Sequence, residues 1–278
     1  MKFLNNIRKL LRIEQWYKNL IIFLPLLLPS TTNLYSPTQY IVGFFGFCMI
    51  SSVTYIINDW IDRKKDALHP TKKFRPLASG AISPKTATLT TIILAILVTL
   101  SALYLGTFFG AVVGTYFVVT NAYSFGLKNI PLLDILIIAG NFVLRMMAGL
   151  PHFPTIDLLP YFSLLFGIIV IFLTHKRRSD IKLLREKASK HKPVLRFYSR
   201  RNSYIFRQIG YIIILLAFYK LFTLNILTEV QIAATLLLLL TTSILFSRNP
   251  HLTIKPHYLF KNPLWDTALI MNIVVIVF

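Results

Sequence analysis

The chain has very little cysteine and few acidic residues. Cys48 is its single cysteine, so an intramolecular disulfide is excluded and a buried, inert thiol is expected. Ten Asp and Glu residues stand against 30 Lys and Arg residues, which gives a formal net charge of +20 at pH 7. The six histidines show no metal-ligand spacing, and the sequence contains no Gly-rich phosphate loop and no nucleophile elbow. Histidine metal centres, P-loops and α/β-hydrolase triads are therefore not indicated.

Long apolar runs make up most of the chain. With 55% hydrophobic residues, 14% charged residues and a mean hydropathy of +0.63, it is too apolar for a soluble domain of this length. A transmembrane helix needs roughly 20 apolar residues. We predict an all-α polytopic membrane protein, in which one domain covering residues 1–278 forms a bundle of nine transmembrane helices. The predicted spans are residues 19–35, 39–58, 86–104, 107–125, 132–150, 158–175, 204–223, 229–247 and 263–278.

Basic residues are distributed asymmetrically over the predicted loops. All of the 30 Lys and Arg residues except Lys220 and Arg145 lie in segments on the same side as the amino terminus. Because positive charge marks the cytoplasmic side, we predict a cytoplasmic N-terminus and an outside C-terminus in a plasma (inner) membrane. The amino-terminal segment lacks a small-residue cleavage site, so the first apolar run is predicted to be retained. A charge pattern that follows topology argues against nucleic acid as the partner.

Three of the ten acidic residues stand at the end of the second apolar run. Asp59, Asp62 and Asp66 are spaced i, i+3 and i+7, which places them on one face if the segment is helical. Clustered carboxylates at a membrane boundary repel one another unless a cation lies between them. Hard oxygen ligands of this kind, with Asn58 adding a neutral one, suit Mg²⁺ carrying a diphosphate. The alternative is a solvated, charged loop that ends a span.

Basic residues near these acids could bind phosphate. Lys72 and Arg75 lie in a segment with two prolines and a glycine, where fixed cations can hold phosphate oxygens and stabilise a leaving diphosphate. A role in setting topology is the alternative. A second basic segment begins at Lys176 and Arg177 and includes Asp180. Such juxtamembrane stretches also bind anionic lipid non-specifically, and we assign the more distal basic residues, from Arg185 to Arg207, to that role.

Arg145 stands apart from the loop charges. It lies about thirteen residues into the fifth predicted span, where an unpaired charge costs several kcal/mol. We expect its side chain to face the interior of the bundle and to pair with a carboxylate or with a substrate anion. A purely structural ion pair is the competing interpretation.

These residues carry a resemblance to a known family. The acidic segment has the pattern N-D-x-x-D-x-x-x-D and resembles the first signature of the UbiA superfamily of intramembrane prenyltransferases, which also have nine helices with catalytic loops on the cytoplasmic side. Further segments resemble one branch, the decaprenyl-phosphate phosphoribosyltransferases. They are Gln15-Trp16-Tyr17-Lys18-Asn19, His69-Pro70, Lys72, Arg75 to Gly80, Tyr123 with Leu127-Lys128, Phe142 to Arg145 with Ala148-Gly149, and Lys176-Arg177 with Asp180.

The resemblance implies a reaction and a set of site residues. It implies Mg²⁺-dependent transfer of 5-phosphoribose from phosphoribosyl diphosphate to a polyprenyl phosphate, with release of diphosphate, in cell envelope biosynthesis. It assigns catalysis and metal binding to Asp59, Asp62 and Asp66. A homo-oligomer is compatible with it. The implied substrate-binding residues are Lys18, Asn58, Lys72, Arg75, Tyr123, Lys128, Arg145, Lys176, Arg177 and Asp180.

One departure from the wider superfamily bears on the substrate. Aromatic prenyltransferases carry a second aspartate cluster where this chain has Lys176, Arg177 and Arg178, with Asp180 the only acid before Glu186. One carboxylate among cations suits a lipid monophosphate better than a second metal ion. Two alternatives stay open. One is a UbiA-type prenyltransferase that moves a prenyl group to an aromatic or glycerol-type acceptor. The other is an anion transporter, against which the membrane-edge position of the acids argues.

Overall fold

The structure, a computed structural model, describes residues 2–28, 34–68, 72–184, 193–253, 262–263, 265, 267 and 269. Within these residues every regular element is helical, which confirms the all-α prediction. Shorter 3₁₀ segments connect several of the helices. The α-helices are α1, Lys2–Leu11; α2, Pro37–Ile61; α3, Arg63–Ala67; α4, Pro84–Leu105; α5, Thr107–Phe125; α6, Leu133–Met147; α7, Leu159–Leu184; α8, Arg200–Thr223; and α9, Glu229–Arg248.

Six helical segments among the described residues are long and apolar enough to cross a membrane. They correspond to six of the nine predicted spans: α2, α4, α5, α7 with the 3₁₀ turn before it, α8 and α9. The fifth predicted span contains α6, which has only 15 residues. The ninth lies mostly outside the described residues. The count of nine therefore stays a prediction.

The first predicted span has a different helix type and different bounds. Residues Ile13–Leu27 form a 3₁₀ helix instead of an α-helix over 19–35. Pro25 lies inside it and has no N–H to give to an α-helical hydrogen bond, and the N–H of Leu28 bonds to the Pro25 carbonyl in a three-residue step. Arg12, in the left-handed region at φ 51°, separates this segment from α1.

Local sequence signals explain where several spanning helices begin. Ser36 caps α2 in a reciprocal capping box with Gln39, and proline occupies the first helical position. Thr228 and Gln231 form the same box at the start of α9. Ser83 accepts a hydrogen bond from the Thr86 N–H at the start of α4. These polar caps satisfy N–H groups that would otherwise be left without partners at the helix ends.

The chain divides into two compact units, and the boundary falls within α6. The first contains Met1–Leu127 and Asn141–Thr155; the second contains Lys128–Gly140 and Ile156–Phe278. In the first unit, α2 is the central helix, since 61% of an apolar 18-residue stretch of α2 is buried, against 17% for α4. The outward face of α4 is apolar, as expected where lipid replaces water as the solvent.

In the second unit, α7 and α8 pack at a glycine from each helix. A Cβ atom at Gly167 would lie 2.8 Å from Ile214 Cγ1 and 3.0 Å from the Gly210 carbonyl oxygen. A Cβ atom at Gly210 would lie 2.6 Å from Ile171 Cγ1. Small residues of this kind let transmembrane helices approach closely, and van der Waals contact then stabilises their association.

Gly149, in the first unit, makes a closer approach that can be tested. A Cβ atom there would overlap the backbone carbonyl of Ile22, which cannot rotate away as a side chain can. We expect Gly149→Ala to lower the free energy of unfolding by about 1–3 kcal/mol through overpacking. The matched control is Gly114→Ala in α5, where a Cβ atom meets nothing within 4 Å. Equal thermal unfolding midpoints for the two variants in detergent would contradict this account.

Candidate functional site

Two buried carboxylates of the first unit converge on one arginine. Arg75 Nη1 donates to Asp59 Oδ1 at 3.0 Å and to Asp66 Oδ2 at 2.6 Å. Both aspartates are 3% exposed, Asp59 near the end of α2 and Asp66 in α3. The shared guanidinium nitrogen offsets the repulsion that two carboxylates would otherwise have at short range.

The backbone after α2 keeps a helical repeat long enough to bring these acids together. The Asp62 N–H bonds to the Asn58 carbonyl at 3.0 Å, and the Asp66 N–H bonds to the Asp62 carbonyl at 2.8 Å. Asp59 and Asp66 are therefore two turns apart and share a face. Asp62 is the C-terminal cap of α2 and only half-buried. Two of the three carboxylates on the predicted acidic face are thus brought together. Asn58, which comes directly before them in the sequence, is half-buried.

Arg12 belongs to the same site and was not found by sequence analysis. Its Nη2 lies 2.6 Å from Asp59 Oδ1, and its guanidinium carbon lies 4.4 Å from the centre of the Tyr55 ring. The residue has φ 51°, a costly conformation for a side chain other than glycine, and such strain is often kept at functional positions. Forty-seven residues separate Arg12 from Asp59, so no spacing rule could have linked them.

Two predicted lysines lie in the first unit. Lys72 Nζ is 3.9 Å from Asp66 Oδ1, which adds a third cation to the acidic pair. Lys18 Nζ donates to Gln15 Oε1 at 3.0 Å, and the same oxygen accepts from the Tyr55 hydroxyl at 3.0 Å. His69 and Pro70, part of the family resemblance, lie outside the described residues.

The donor set can be compared with what a divalent cation requires. Among the described residues no group of three His, Cys, Asp or Glu side chains is placed to hold a metal ion. Asp59 and Asp66 do converge on a single positive nitrogen. Mg²⁺ in phosphate-binding sites commonly uses one or two carboxylates and takes its remaining ligands from water and the substrate phosphates. The pair therefore fits an ion that arrives with a diphosphate, and it does not fit an ion held by protein ligands alone.

Arg145 is buried, as predicted, but it has no carboxylate partner among the described residues. It donates to Asn19 Oδ1 at 2.8 Å, to the Asn141 carbonyl at 2.7 Å and to the Tyr116 hydroxyl at 3.0 Å. The rings of Phe47, Tyr116 and Phe142 lie within 5.6 Å of its guanidinium carbon. Neutral oxygens and aromatic faces thus stabilise the charge, which corrects the expectation of a structural ion pair.

Arg177, in the second unit, is held by acids. Its Nε donates to Asp134 Oδ2 at 2.8 Å, and its Nη1 lies 3.8 Å from Asp180 Oδ2. Asp134 is fully buried and also accepts a hydrogen bond from the Tyr198 hydroxyl. Burial raises the pKa of Tyr198, and the bond to Asp134 raises it further, so the phenol remains a donor. Sequence analysis did not identify Asp134, although an acidic residue inside a predicted transmembrane span itself indicates a paired or functional side chain.

Three further predicted residues lie in both units of the chain. Tyr123 lies on α5 in the first unit and is half-buried. Lys128 lies in a 3₁₀ turn, Leu127–Asn129, at the start of the second unit. Lys176 is half-buried on α7, one residue before Arg177. Their roles remain predictions.

Comparison with known proteins gives matches in sequence and in fold. The profile of the UbiA prenyltransferase family matches residues 19–257. A decaprenyl-phosphate phosphoribosyltransferase of Mycolicibacterium smegmatis is 32% identical over 203 residues, which are 71% of this chain and 63% of that protein. A protein of the same name from Corynebacterium glutamicum is 32% identical over 184 residues, 64% of this chain and 55% of that protein. The chain thus spans less than two thirds of the length of these relatives.

Solved structures share the fold. A UbiA homologue from Archaeoglobus fulgidus, bound to GPP and Mg²⁺, superposes with a TM-score of 0.69 at 19% identity and covers 98% of this chain and 99% of its own. A digeranylgeranylglyceryl phosphate synthase gives a TM-score of 0.68 at 18% identity, with 100% of this chain and 94% of its own covered. At these identities the likeness concerns the arrangement of helices.

Proposed function

Because this chain belongs to the UbiA prenyltransferase family, we propose that it is a membrane-bound transferase that moves 5-phosphoribose from phosphoribosyl diphosphate to a polyprenyl phosphate. The names of the M. smegmatis and C. glutamicum relatives support this choice of donor and acceptor. The observation that carries the proposal is the pair of buried carboxylates, Asp59 and Asp66, surrounded by Arg12, Lys72 and Arg75.

The acidic pair supports a diphosphate-binding role. Mg²⁺, when bound with the donor, would be held by Asp59 and Asp66 and would supply charge neutralisation of the diphosphate. Arg12 binds Asp59, and Arg75 binds both carboxylates. These guanidinium groups would also be able to bind oxygens of the diphosphate. The cluster thus combines two carboxylates suited to a cation with three basic side chains suited to a diphosphate.

The reaction needs little acid–base chemistry. The bond between the anomeric carbon and the diphosphate oxygen breaks, and a bond from that carbon to a phosphate oxygen of the lipid forms. Positive charge develops on the ribose ring as in glycosyl transfer generally. Arg12, Lys72 and Arg75 stabilise the negative charge of the departing diphosphate. The attacking lipid phosphate is already an anion at neutral pH, so no strong general base is required.

Substrate preference tests the proposal directly. Purified protein should convert labelled phosphoribosyl diphosphate and polyprenyl phosphate into a lipid-linked product and free diphosphate. The control reaction contains prenyl diphosphate and an aromatic acid, the pair expected of a UbiA-type aromatic prenyltransferase. If only the control pair reacts, the phosphoribosyl assignment is wrong and the prenyltransferase alternative is established. The GPP-bound structural neighbour is consistent with that alternative.

The proposed orientation predicts which loops are accessible from each side of the membrane. Cysteines introduced at Thr107 and Thr155 should react with an impermeant reagent added outside, whereas one at Ser83 should react only from the cytoplasm. All three positions are exposed, and Cys48 is fully buried, so the parent chain should give no background labelling. Labelling of Ser83→Cys from outside would reverse the topology and place the acidic pair on the wrong side for a soluble cytoplasmic donor.

A further inference from the structure

The second unit contains a cavity whose walls are strongly basic. It has a volume of about 460 Å³ and lies between the carboxyl-terminal part of α7, the amino-terminal part of α8 and the end of α9. These three helix ends belong to the same end of the unit, since the helices alternate in direction. The lining residues are His175, Arg178, Ser179, Lys182, Arg200, Arg207, Phe246 and Ser247.

The four cations of this basic cavity have no acidic partner among the described residues. Arg178 donates to the Tyr198 carbonyl at 3.2 Å, and Lys182 donates to the Ser247 carbonyl at 3.0 Å. No described carboxylate lies within 4.0 Å of Arg178, Lys182, Arg200 or Arg207. An arginine has five N–H donors and a lysine three, so these contacts leave most donors available. This differs from Arg177 on the same helix, which two acids hold.

Depth and charge together indicate what the cavity could bind. His175 and Ser179 are each 2% exposed and form its inner part, while Lys182 and Arg200 are exposed at its mouth. Four positive charges around one space repel one another, and a bound anion would remove that repulsion. Guanidinium groups match the oxygens of a phosphate, and a phosphate monoester carries close to two negative charges at neutral pH.

We propose that this cavity is a binding site for a phosphate monoester group, separate from the acidic pair of the first unit. The group can come from a membrane lipid or from a soluble phosphate, since both present the same oxygens and charge. The inference does not depend on the proposed transfer reaction. It also changes the interpretation of Arg200 and Arg207, which sequence analysis assigned to non-specific lipid attraction: both line a defined cavity.

Direct binding measurements test the site. The full chain in detergent is mixed with phosphatidate and examined by native mass spectrometry, with phosphatidylcholine as the lipid that lacks the monoester. In a second arm, binding of radiolabelled inorganic phosphate is measured by equilibrium dialysis. We expect Arg207→Gln and Arg178→Gln each to weaken binding of whichever probe the parent chain binds, phosphatidate or inorganic phosphate, by at least about tenfold. Each substitution removes a charge-assisted hydrogen bond. Binding of phosphatidate alone identifies a lipid source, and binding of inorganic phosphate identifies a soluble one.

The control variant separates a site from a general charge effect. Arg201→Gln removes the same charge from the exposed neighbour of Arg200, which does not line the cavity. It should bind both probes as the parent chain does. No described carboxylate lies within 4.0 Å of Arg207, so Arg207→Gln should also keep the parent unfolding midpoint. The proposal is overturned if the parent chain binds neither probe, or if Arg201→Gln weakens binding as much as Arg207→Gln.

Discussion

Asp59→Asn and Asp66→Asn are each expected to lower the rate of phosphoribosyl transfer about a hundredfold or more. Each substitution removes one of the two carboxylates that converge on Arg75, and with it half of the negative charge available to a divalent cation. Initial rates with labelled donor at saturating Mg²⁺ measure the effect. The sequence pattern treats Asp62 as an equal third member; in the structure it is half-buried and caps the carboxyl end of α2.

A control keeps this prediction specific. Asp157→Asn, at an exposed acid of the second unit, should retain the parent rate of transfer. The proteins should remain folded, because Arg12 and Arg75 are 19% and 26% exposed and water can solvate them when a carboxylate is lost. Near-normal rates for both Asp59→Asn and Asp66→Asn, in folded protein with Mg²⁺ present, would remove the acidic pair from the mechanism.

Asp134→Asn is expected to destabilise the second unit by about 3–5 kcal/mol. Asp134 is fully buried, and its partner Arg177 has a side chain only 7% exposed. Removing the carboxylate leaves a buried guanidinium whose next acid, Asp180, is 3.8 Å away and itself 26% exposed. Thermal or denaturant unfolding in detergent gives the change in stability. Asp180→Asn should cost much less, because that pair is longer and partly solvated.

A double-mutant cycle tests whether this cost comes from the pair itself. The variant Asp134→Asn with Arg177→Gln should be less destabilised than the sum of the two single variants, since neither charge is then left buried alone. Tyr198→Phe should cost about 1 kcal/mol, the value of one hydrogen bond to a buried acceptor. Strict additivity of the Asp134 and Arg177 changes would show that the two side chains do not depend on each other.

The Asp134 pair also alters the assignment of acceptor binding. Sequence analysis placed the lipid phosphate at Lys176 and Arg177. Asp134 and Asp180 already hold Arg177, so an anion there would compete with two carboxylates. Lys176 remains the residue of that segment proposed to contact the acceptor. Loss of Arg177 would therefore be expected to appear first as lower stability and only then as weaker acceptor binding.

The sequence by itself determined the membrane class, the all-helical fold, most of the spanning helices and the first acidic signature. These features are local. Apolar runs of span length, capping residues such as Ser36 and Thr228, and carboxylates seven residues apart act within one helix or one turn, so their effect can be predicted from spacing.

Only the tertiary structure decided which charges meet. Arg12 reaches Asp59 across 47 residues, and Asp134 pairs with Arg177 across 43. Arg145 is stabilised by neutral oxygens and rings, among them the side chain of Asn19, which is 126 residues away in sequence. Arg200 and Arg207 line a cavity with side chains from α7 and α9. A buried charge is stabilised by whichever groups the packing of helices brings within a few ångströms, and that packing leaves no periodic signal in the sequence.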